Sequence, residues 1–282
     1  MEQKLVMTAP NTPTTNIKST FKRVGLIDAD FIKYLVCSDI SNYIKRNGHH
    51  PNEKYGVSYL DVFVNDQMKK QFHDRFDSKG NIYFFSGSSS ETFRAKLAIT
   101  KEYKGNRGLS EPDYDGFYSD LASVISIISK EHTVYIHPNY EADDLVSILQ
   151  NENTFIYSRD KDLKQVPGHH YNISKNSLEY IEEKDAHYSL WMQLLQGDST
   201  DNIVGVENVG EKTAKKLLEQ ISTNNLHKKV IEVYTNKYGI IEGLDRFAET
   251  WMLVKMRISR GGYEADKLKA AFYLRDTLIN SK

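Results

Sequence analysis

The sequence predicts an α/β protein, a mostly parallel central sheet flanked by helices, with a smaller helical region at its C-terminal end. Three observations lead there. Short, β-rich apolar runs alternate with longer helical patterns over residues 22–185, the strand signal fades from about residue 186, and acidic residues gather at points adjoining the predicted strand ends.

In chain order, residues 1–21 are polar and rich in Thr, Asn and Pro, and are expected to form a disordered tail. RVGLID (23–28), NIYFF (81–85), TVYIH (133–137) and TFIYS (154–158) are short and apolar, as buried strands are; YGVSYLDVFVNDQMKKQF, DGFYSDLASVISIIS and DDLVSILQ between them carry helical spacing. Strands alternating with helices imply a parallel sheet covered on both faces, so residues 22–185 are assigned to one α/β domain. AHYSLWMQLLQ, GEKTAKKLLEQI, LHKKVIEVYTNKY and GLDRFAETWMLVKMRI all look helical, which assigns residues 186–282 to a helical region. There is no internal repeat.

Composition excludes several classes. With 282 residues, 39% of them hydrophobic, the chain can bury a large core. The lone Cys37 leaves no disulfide framework and no Cys-rich zinc site, which points to a reducing cytoplasm; within FIKYLVC it reads as core. No apolar run approaches the roughly 18 residues of a membrane span, and the opening lacks a signal peptide's apolar centre. The pairs His49-His50 and His169-His170 sit in polar stretches beside Pro and Gly without metal-ligand spacing, and are expected in surface loops. Net charge is −1, so the distribution of charge says more than its sum.

That distribution is punctual. Asp28 and Asp30 end LIDAD, Glu141, Asp143 and Asp144 lie in YEADDLVSIL, Asp160 and Asp162 in SRDKD, and Asp198 and Asp201 in GDSTDN. Each cluster alone has an ordinary explanation. Acids in a helix's first turn gain about 0.3–1 kcal/mol from the macrodipole, and DKD after a strand is usually a solvated turn. Together they differ, because three clusters are predicted at one sheet edge, where open parallel sheets bind ligands. Such a group repels itself unless cations are present, and all-oxygen ligands favour Mg²⁺ or Mn²⁺. Two such ions, roughly 3.5–4 Å apart, would activate water and stabilise the leaving oxygen of a phosphodiester.

In this order and spacing, LIDAD, YEADDLVSIL, SRDKDL and LLQGDSTDNIVGVENVGEKTAKKLL resemble the 5′-nuclease family: flap endonucleases, the 5′-nuclease domains of bacterial DNA polymerases and phage 5′→3′ exonucleases. The resemblance covers about residues 23–260, and its size is that of the phage type. It implies a PIN-like fold in which Asp28, Glu141, Asp143, Asp144, Asp160, Asp162, Asp198 and Asp201 hold two or more divalent ions, directly or through water. Asp30 has no general counterpart as a ligand. EYKGNR (102–107) resembles the base of the family's helical arch, where Lys104 and Arg107 would meet the scissile phosphate; Tyr103 beside them is a candidate for stacking on a base. GVENVGEKTAKKLL (205–218) resembles the helix-hairpin-helix that grips duplex DNA, with K⁺ often seated in the hairpin.

The hairpin's physics is legible without the resemblance. Gly205 and Gly210 permit a tight turn, the next helix opens with its positive end toward phosphate, and Lys212, Lys215 and Lys216 add charge for sequence-independent, salt-sensitive binding. The expected partners are DNA with 5′ ends, flaps or single-strand/duplex junctions, and DNA·RNA hybrids, engaged by a monomer in replication or recombination, in the host cytoplasm for a phage protein. Two departures stand out. Where many members carry another acid after the second strand, this chain has FFSGSSSETF, so that either Glu91 substitutes or a ligand is absent and one metal is bound more weakly or through water, and GLSEPDYDG leaves little length for a full arch. Two alternatives remain: a non-catalytic DNA-binding protein of the same fold, and an aspartyl phosphatase of the haloacid-dehalogenase type, whose late Gly-Asp motif follows a strand.

Overall fold

The computed structural model describes residues 6–8, 23–55, 58–72, 80–87, 92–107, 116–173, 175, 177–257, 271 and 273. Its main sheet contains β1 (Val6–Thr8), β2 (Val24–Asp28), β3 (Ile82–Ser86), β4 (Thr133–His137), β5 (Thr154–Tyr157), β6 (Gly168–Asn172) and β7 (Ser177–Ile181), in the order β1-β4-β3-β2-β5-β6-β7. Strands β2 to β6 are mutually parallel, while β1 and β7 close the two edges antiparallel to β4 and β6. Val6–Thr8 therefore departs from the disorder expected of residues 1–21; the rest of that stretch lies outside the described residues.

The strand sequences are apolar on both sides because both faces are covered. Ile27, Tyr83, Phe85, Phe155 and Tyr157 point into a core with α1 (Asp30–Asn47), α3 (Ser58–Phe72) and α5 (Phe117–Ser129), through Ile32, Val36, Val64, Val124 and Ile128. Their alternates Leu26, Phe84 and Ile156 face α6 (Ala142–Leu149) and the 3₁₀ turn Lys161–Gln165, meeting Leu145, Val146, Leu163 and Met256. Two short helices, α2 (Pro51–Tyr55) and α4 (Phe93–Leu97), complete this part of the chain. Among the described residues no helix is long and apolar enough to cross a membrane.

The helical region comprises α7 (Glu183–Gln196), α8 (Glu211–Leu218), α9 (Leu226–Tyr238) and α10 (Ile240–Val254). It packs around Trp191, Leu194, Tyr234, Phe247 and Trp251, with the Tyr234 hydroxyl donating to the Leu194 carbonyl at 2.7 Å. Ala95, Leu97, Ala98 and Tyr103 join this core. The two layers thus exchange chain, since a stretch before residue 186 is buried among the C-terminal helices. His169 and His170, expected in a loop, lie in β6. The half-exposed hairpin β6–β7 buries little on either face, so apolar alternation does not announce it.

Between α7 and α8 run β8 (Gly197–Asp198) and β9 (Ile203–Val204), a two-stranded antiparallel ladder. Gly197 has φ +71, and the backbones of Gly197 and Gly205 touch: a Cβ on Gly205 would lie 2.3 Å from the Gly197 nitrogen and 2.4 Å from the Leu195 carbonyl oxygen. Gly210 differs, because a Cβ there meets nothing within 4 Å and its φ is −87. Gly205→Ala is accordingly expected to lower the thermal midpoint by several degrees or prevent folding, and Gly210→Ala to leave it nearly unchanged, in melts followed by circular dichroism.

Candidate metal centre and nucleic-acid interface

The order β4-β3-β2-β5-β6 puts a topological switch between β2 and β5, and the acids gather at the carboxyl ends of these strands. Asp28 ends β2 and accepts a 2.7 Å hydrogen bond from Ser158 Oγ, just past β5. Asp30 Oδ1 accepts the Ser86 amide at 3.0 Å at the end of β3, and Ser86 Oγ accepts the Ala142 amide at 2.9 Å, where α6 begins. Asp160 caps the following 3₁₀ turn, accepting the Asp162 amide at 2.8 Å. Four segments are stitched at one edge by short side chains.

Glu141 occupies the N-cap position of α6 with extended backbone, yet its carboxylate makes no capping bond. It is buried and turned toward cations: Oε2 accepts from Arg94 Nη1 at 2.8 Å and from the Tyr103 hydroxyl at 2.7 Å, while Oε1 pairs with Lys104 Nζ. Asp144, fully buried, takes Arg94 through both oxygens, at 2.5 Å to Nη1 and 2.9 Å to Nη2. Oxygens of Glu141, Asp143 and Asp144 lie within 4.8 Å of one another. Helix-dipole stabilisation does not account for Glu141 and Asp144, because their charges are spent on guanidinium, ammonium and phenol groups, whereas Asp143 Oδ1 accepts the Asp144 amide at 2.6 Å.

EYKGNR and GDSTDN interlock. The Lys104 amide donates to the Asp201 carbonyl at 2.9 Å, Asn106 Nδ2 to the Ser199 carbonyl at 2.7 Å, and Asn202 Nδ2 to the Glu102 carbonyl at 2.8 Å. Lys104 adopts φ +57 in this turn. Arg107 Nη2 pairs with Asp201 Oδ1, and Lys104 Nζ stands 3.7 Å from Asp201 Oδ2. Tyr103 is 7% exposed, packed in the helical core, and its hydroxyl touches Asp201 as well as Glu141. A phenol has one proton and serves one of two acceptors at a time. The ring is held under the acids and is not presented for base stacking.

The acids feel one another as a single group. Burial, and then Asp30, push Asp28 up to about 7. Burial followed by the charges of Asp160 and Asp198 pushes Asp162 up to about 7, and burial together with Asp201 and Asp198 raises Asp160. Burial and the adjacent Asp144 raise Asp143 well above the carboxylate range. Two acids shift the other way. Burial opposes ionisation of Glu141, but Lys104 and Arg94 outweigh it and hold the group at about 2. Burial likewise opposes Asp198, which Lys161 at 3.3 Å and the amides of Thr200 and Asp201 hold below its ordinary value.

All eight expected metal-site acids, with Tyr103, Lys104 and Arg107, therefore meet in one place. The hairpin stands beside them: residues 203–210, with Lys101, Gln196, Ser199 and Asn202, line a pocket of about 480 Å³. Lys212, Lys215 and Lys216 are exposed on α8, whose Ala214 and Leu218 are buried. Ser88, Glu91 and residues 108–115, where a substitute acid and the arch are expected, lie outside the described residues. Nothing in the sequence marks Arg94, since a single arginine in a five-residue helix has no period or motif to show that it is buried. The phosphatase alternative loses its premise, because Gly197-Asp198 follows α7 and not a strand of the main sheet.

No family model matches the chain. It is 35% identical over 230 residues to a 5′-3′ exonuclease of Buchnera aphidicola subsp. Acyrthosiphon pisum, covering 73% of this chain and 74% of that protein. It is 28% identical over 260 residues to DNA polymerase I of Bacillus subtilis, covering 83% of this chain and 27% of the polymerase, so it spans about a quarter of that relative's length. A structure of the T5 D15 protein co-crystallised with metal ions is similar at TM-score 0.49 and 13% identity, over 89% of this chain and 99% of that one. At the identity and coverage shared with the Buchnera aphidicola protein, the chain belongs to the 5′-3′ exonuclease family.

Proposed function

We propose that this protein is a divalent-metal-dependent 5′-nuclease that hydrolyses phosphodiester bonds of DNA near 5′ ends, at 5′ flaps and at single-strand/duplex junctions, and that it also accepts DNA·RNA hybrids. The observation that carries the reading is the convergence of Asp28, Glu141, Asp143, Asp144, Asp160, Asp162, Asp198 and Asp201 beside Lys104 and Arg107. The donor set fits hard divalent ions, being entirely oxygen. Burial and mutual repulsion raise Asp28, Asp143, Asp160 and Asp162, so these groups ionise together at neutral pH when cations share the site.

Asp28, Asp160, Asp162, Asp198 and Asp201, with Glu141 and Asp143, would hold Mg²⁺ or Mn²⁺, two ions in the working enzyme. Bound there, the ions supply activation of water and stabilisation of the leaving 3′ oxygen. Lys104 and Arg107 neutralise Glu141 and Asp201 at the rim, where each can exchange a carboxylate for a phosphate oxygen and steady the scissile group. The first turn of α8 and Lys212, Lys215 and Lys216 hold the duplex backbone, and the pocket at Gly205 and Gly210 takes K⁺. Because EYKGNR is bonded to the 199–202 turn that leads into the hairpin, the grip on duplex and the grip on phosphate keep a set separation. We place the protein, as a monomer, in the replication or recombination of a phage.

A flap substrate labelled at either end distinguishes the activities: a released oligonucleotide marks the flap endonuclease, mononucleotides mark the exonuclease, and no Mg²⁺- or Mn²⁺-dependent product would refute both. Asp160→Asn should abolish cutting while duplex binding in EDTA persists; a variant cutting at the wild-type rate would remove Asp160 from the metal site. The double change Lys215→Ala, Lys216→Ala should weaken duplex binding and reduce the magnitude of its log–log salt slope by roughly 2.

Stability should also follow pH in two windows. Asp28 and Asp162 have folded values near 7 against 3.8 unfolded, so the folded chain holds protons that the unfolded chain releases. Metal-free stability is then lost as pH rises from about 4 to about 7. Glu141, held at about 2 against 4.5, adds stability above pH 4.5 that disappears as pH falls toward 2. Urea midpoints in EDTA should peak near pH 4–5, and Mg²⁺ should raise the midpoint more at pH 7 than at pH 5.

A further inference from the structure

Arg94 is 1% exposed and every polar nitrogen of its side chain is engaged. Nη1 bridges Glu141 Oε2 and Asp144 Oδ2, Nη2 meets Asp144 Oδ1, and Nε donates to the Leu253 carbonyl at 2.7 Å. Asp144, in turn, has both oxygens committed to the guanidinium, and the Arg257 amide approaches Oδ1 at 3.4 Å. The chain leaving α10 is fastened by the same neighbourhood. Gln165 Nε2 donates to the Val254 carbonyl at 3.1 Å, its Oε1 accepts the Met256 amide at 3.3 Å, and Ser147 Oγ donates to the Arg257 carbonyl.

We propose that Arg94 is a positioning residue for the metal-binding carboxylates, and that Asp144 serves as its counterion and not as a metal ligand. A buried ion pair is weak support for stability, since desolvation of both charges offsets their attraction. A planar fork that fixes two carboxylates in one geometry is what a lysine or an apolar pair cannot reproduce. Arg94 holds the Oε2 edge of Glu141 and leaves Oε1 on the side of Lys104, while Asp143 makes no bond to Arg94, so Glu141 and Asp143 are the carboxylates at the start of α6 left for a metal ion. Through Leu253 and Arg257 the same clamp ties the end of the DNA-binding helices to α6. The helical region is thereby part of the metal site's rigidity, although it supplies no ligand from α10.

This inference rests on the metal-dependent nuclease reading, and the test separates the two. Mn²⁺ affinity is measured without DNA, by electron paramagnetic resonance of free Mn²⁺, for the wild type, Arg94→Gln, Arg94→Lys, Asp144→Asn, Asp143→Asn and the double variants on Arg94, with folding checked by circular dichroism. Arg94→Gln is expected to weaken binding by about 10–100-fold, the loss typical of removing a group that orients ligands. Asp144→Asn should cost less than tenfold alone and nothing further with Arg94→Gln, whereas Asp143→Asn should cost its full effect in both backgrounds. Should Arg94→Gln not fold, the same cycle built on Arg94→Lys reads the coupling. Wild-type affinity in the Arg94 variants, or a full additive loss from Asp144→Asn, would overturn the proposal alone. Failure of the wild type to bind Mn²⁺ would overturn the nuclease reading and this proposal together.

Discussion

Eight carboxylates crowded at one edge of a sheet repel one another, and much of the surrounding structure is arranged around that repulsion. Positive groups reach the acids from separate stretches of chain: Arg94 from α4, Lys104 and Arg107 from the turn after it, and Lys161 from the 3₁₀ turn after β5. Their division of labour follows burial. Arg94 is sealed beneath the site with Glu141 and Asp144, whereas Lys104 and Arg107 stand at its partly open rim. An internal cation can compensate acids permanently; a rim cation can change partners. Asp28 and Asp162 are pushed up to about 7 and Asp160 is raised as well, although Lys104 partly offsets the effect at Asp160 and Lys161 at Asp162. The remaining demand for positive charge therefore falls toward the β2–β5 switch.

The same constraint explains why the chain exchanges segments between its layers. α4 and the turn 102–107 come from the sheet part of the sequence but pack on the helical core, and the strap after α10 returns from the helices to α6. The first crossings carry Arg94, Tyr103, Lys104 and Arg107 to the acids, and the strap adds the backbone amide of Arg257. Two independently folded parts joined by a linker could bind DNA and hold metal, but they would not fix the distance between those tasks. Here the hydrogen bonds of Asn106 and Asn202 tie the 102–107 turn to the 199–202 turn.

The sheet was legible because its strands are buried on both faces, and VGLID, IYFFS, TVYIH and TFIY carry continuous apolar runs that appear at the expected places. The hairpin β6–β7 was not, because its half-exposed residues give no alternation. Among site residues, the acids were legible by clustering, and Lys104 and Arg107 by their resemblance to a known motif. Tyr103 shows the limit of such reading: its type suggested stacking, while its burial with the helical core makes it a hydrogen-bond donor to acids. Arg94 was invisible because its role depends on contacts with residues 47 and 159 positions away, which no local pattern encodes.

The Ser86–Gly87 corner at the end of β3 can be understood in the same terms. Ser86 Oγ accepts the first amide of α6, and a side chain at Gly87 would press on the His137 carbonyl at 3.2 Å and on Pro138. The end of β3 is thus used to seat α6 against β4, and Asp30 receives the Ser86 amide that lies beside it. Negative charge near α6 comes from Glu141 and Asp143, with Asp144 matched by Arg94. Asp28 ends β2, Asp160 and Asp162 lie at the turn after β5, and Asp198 and Asp201 lie at the β8–β9 ladder. Asp198 and Asp201 stand on the segment that continues through residues 203–210 to α8, so these acids are tied by chain connectivity to the part of the molecule that carries the lysines of α8.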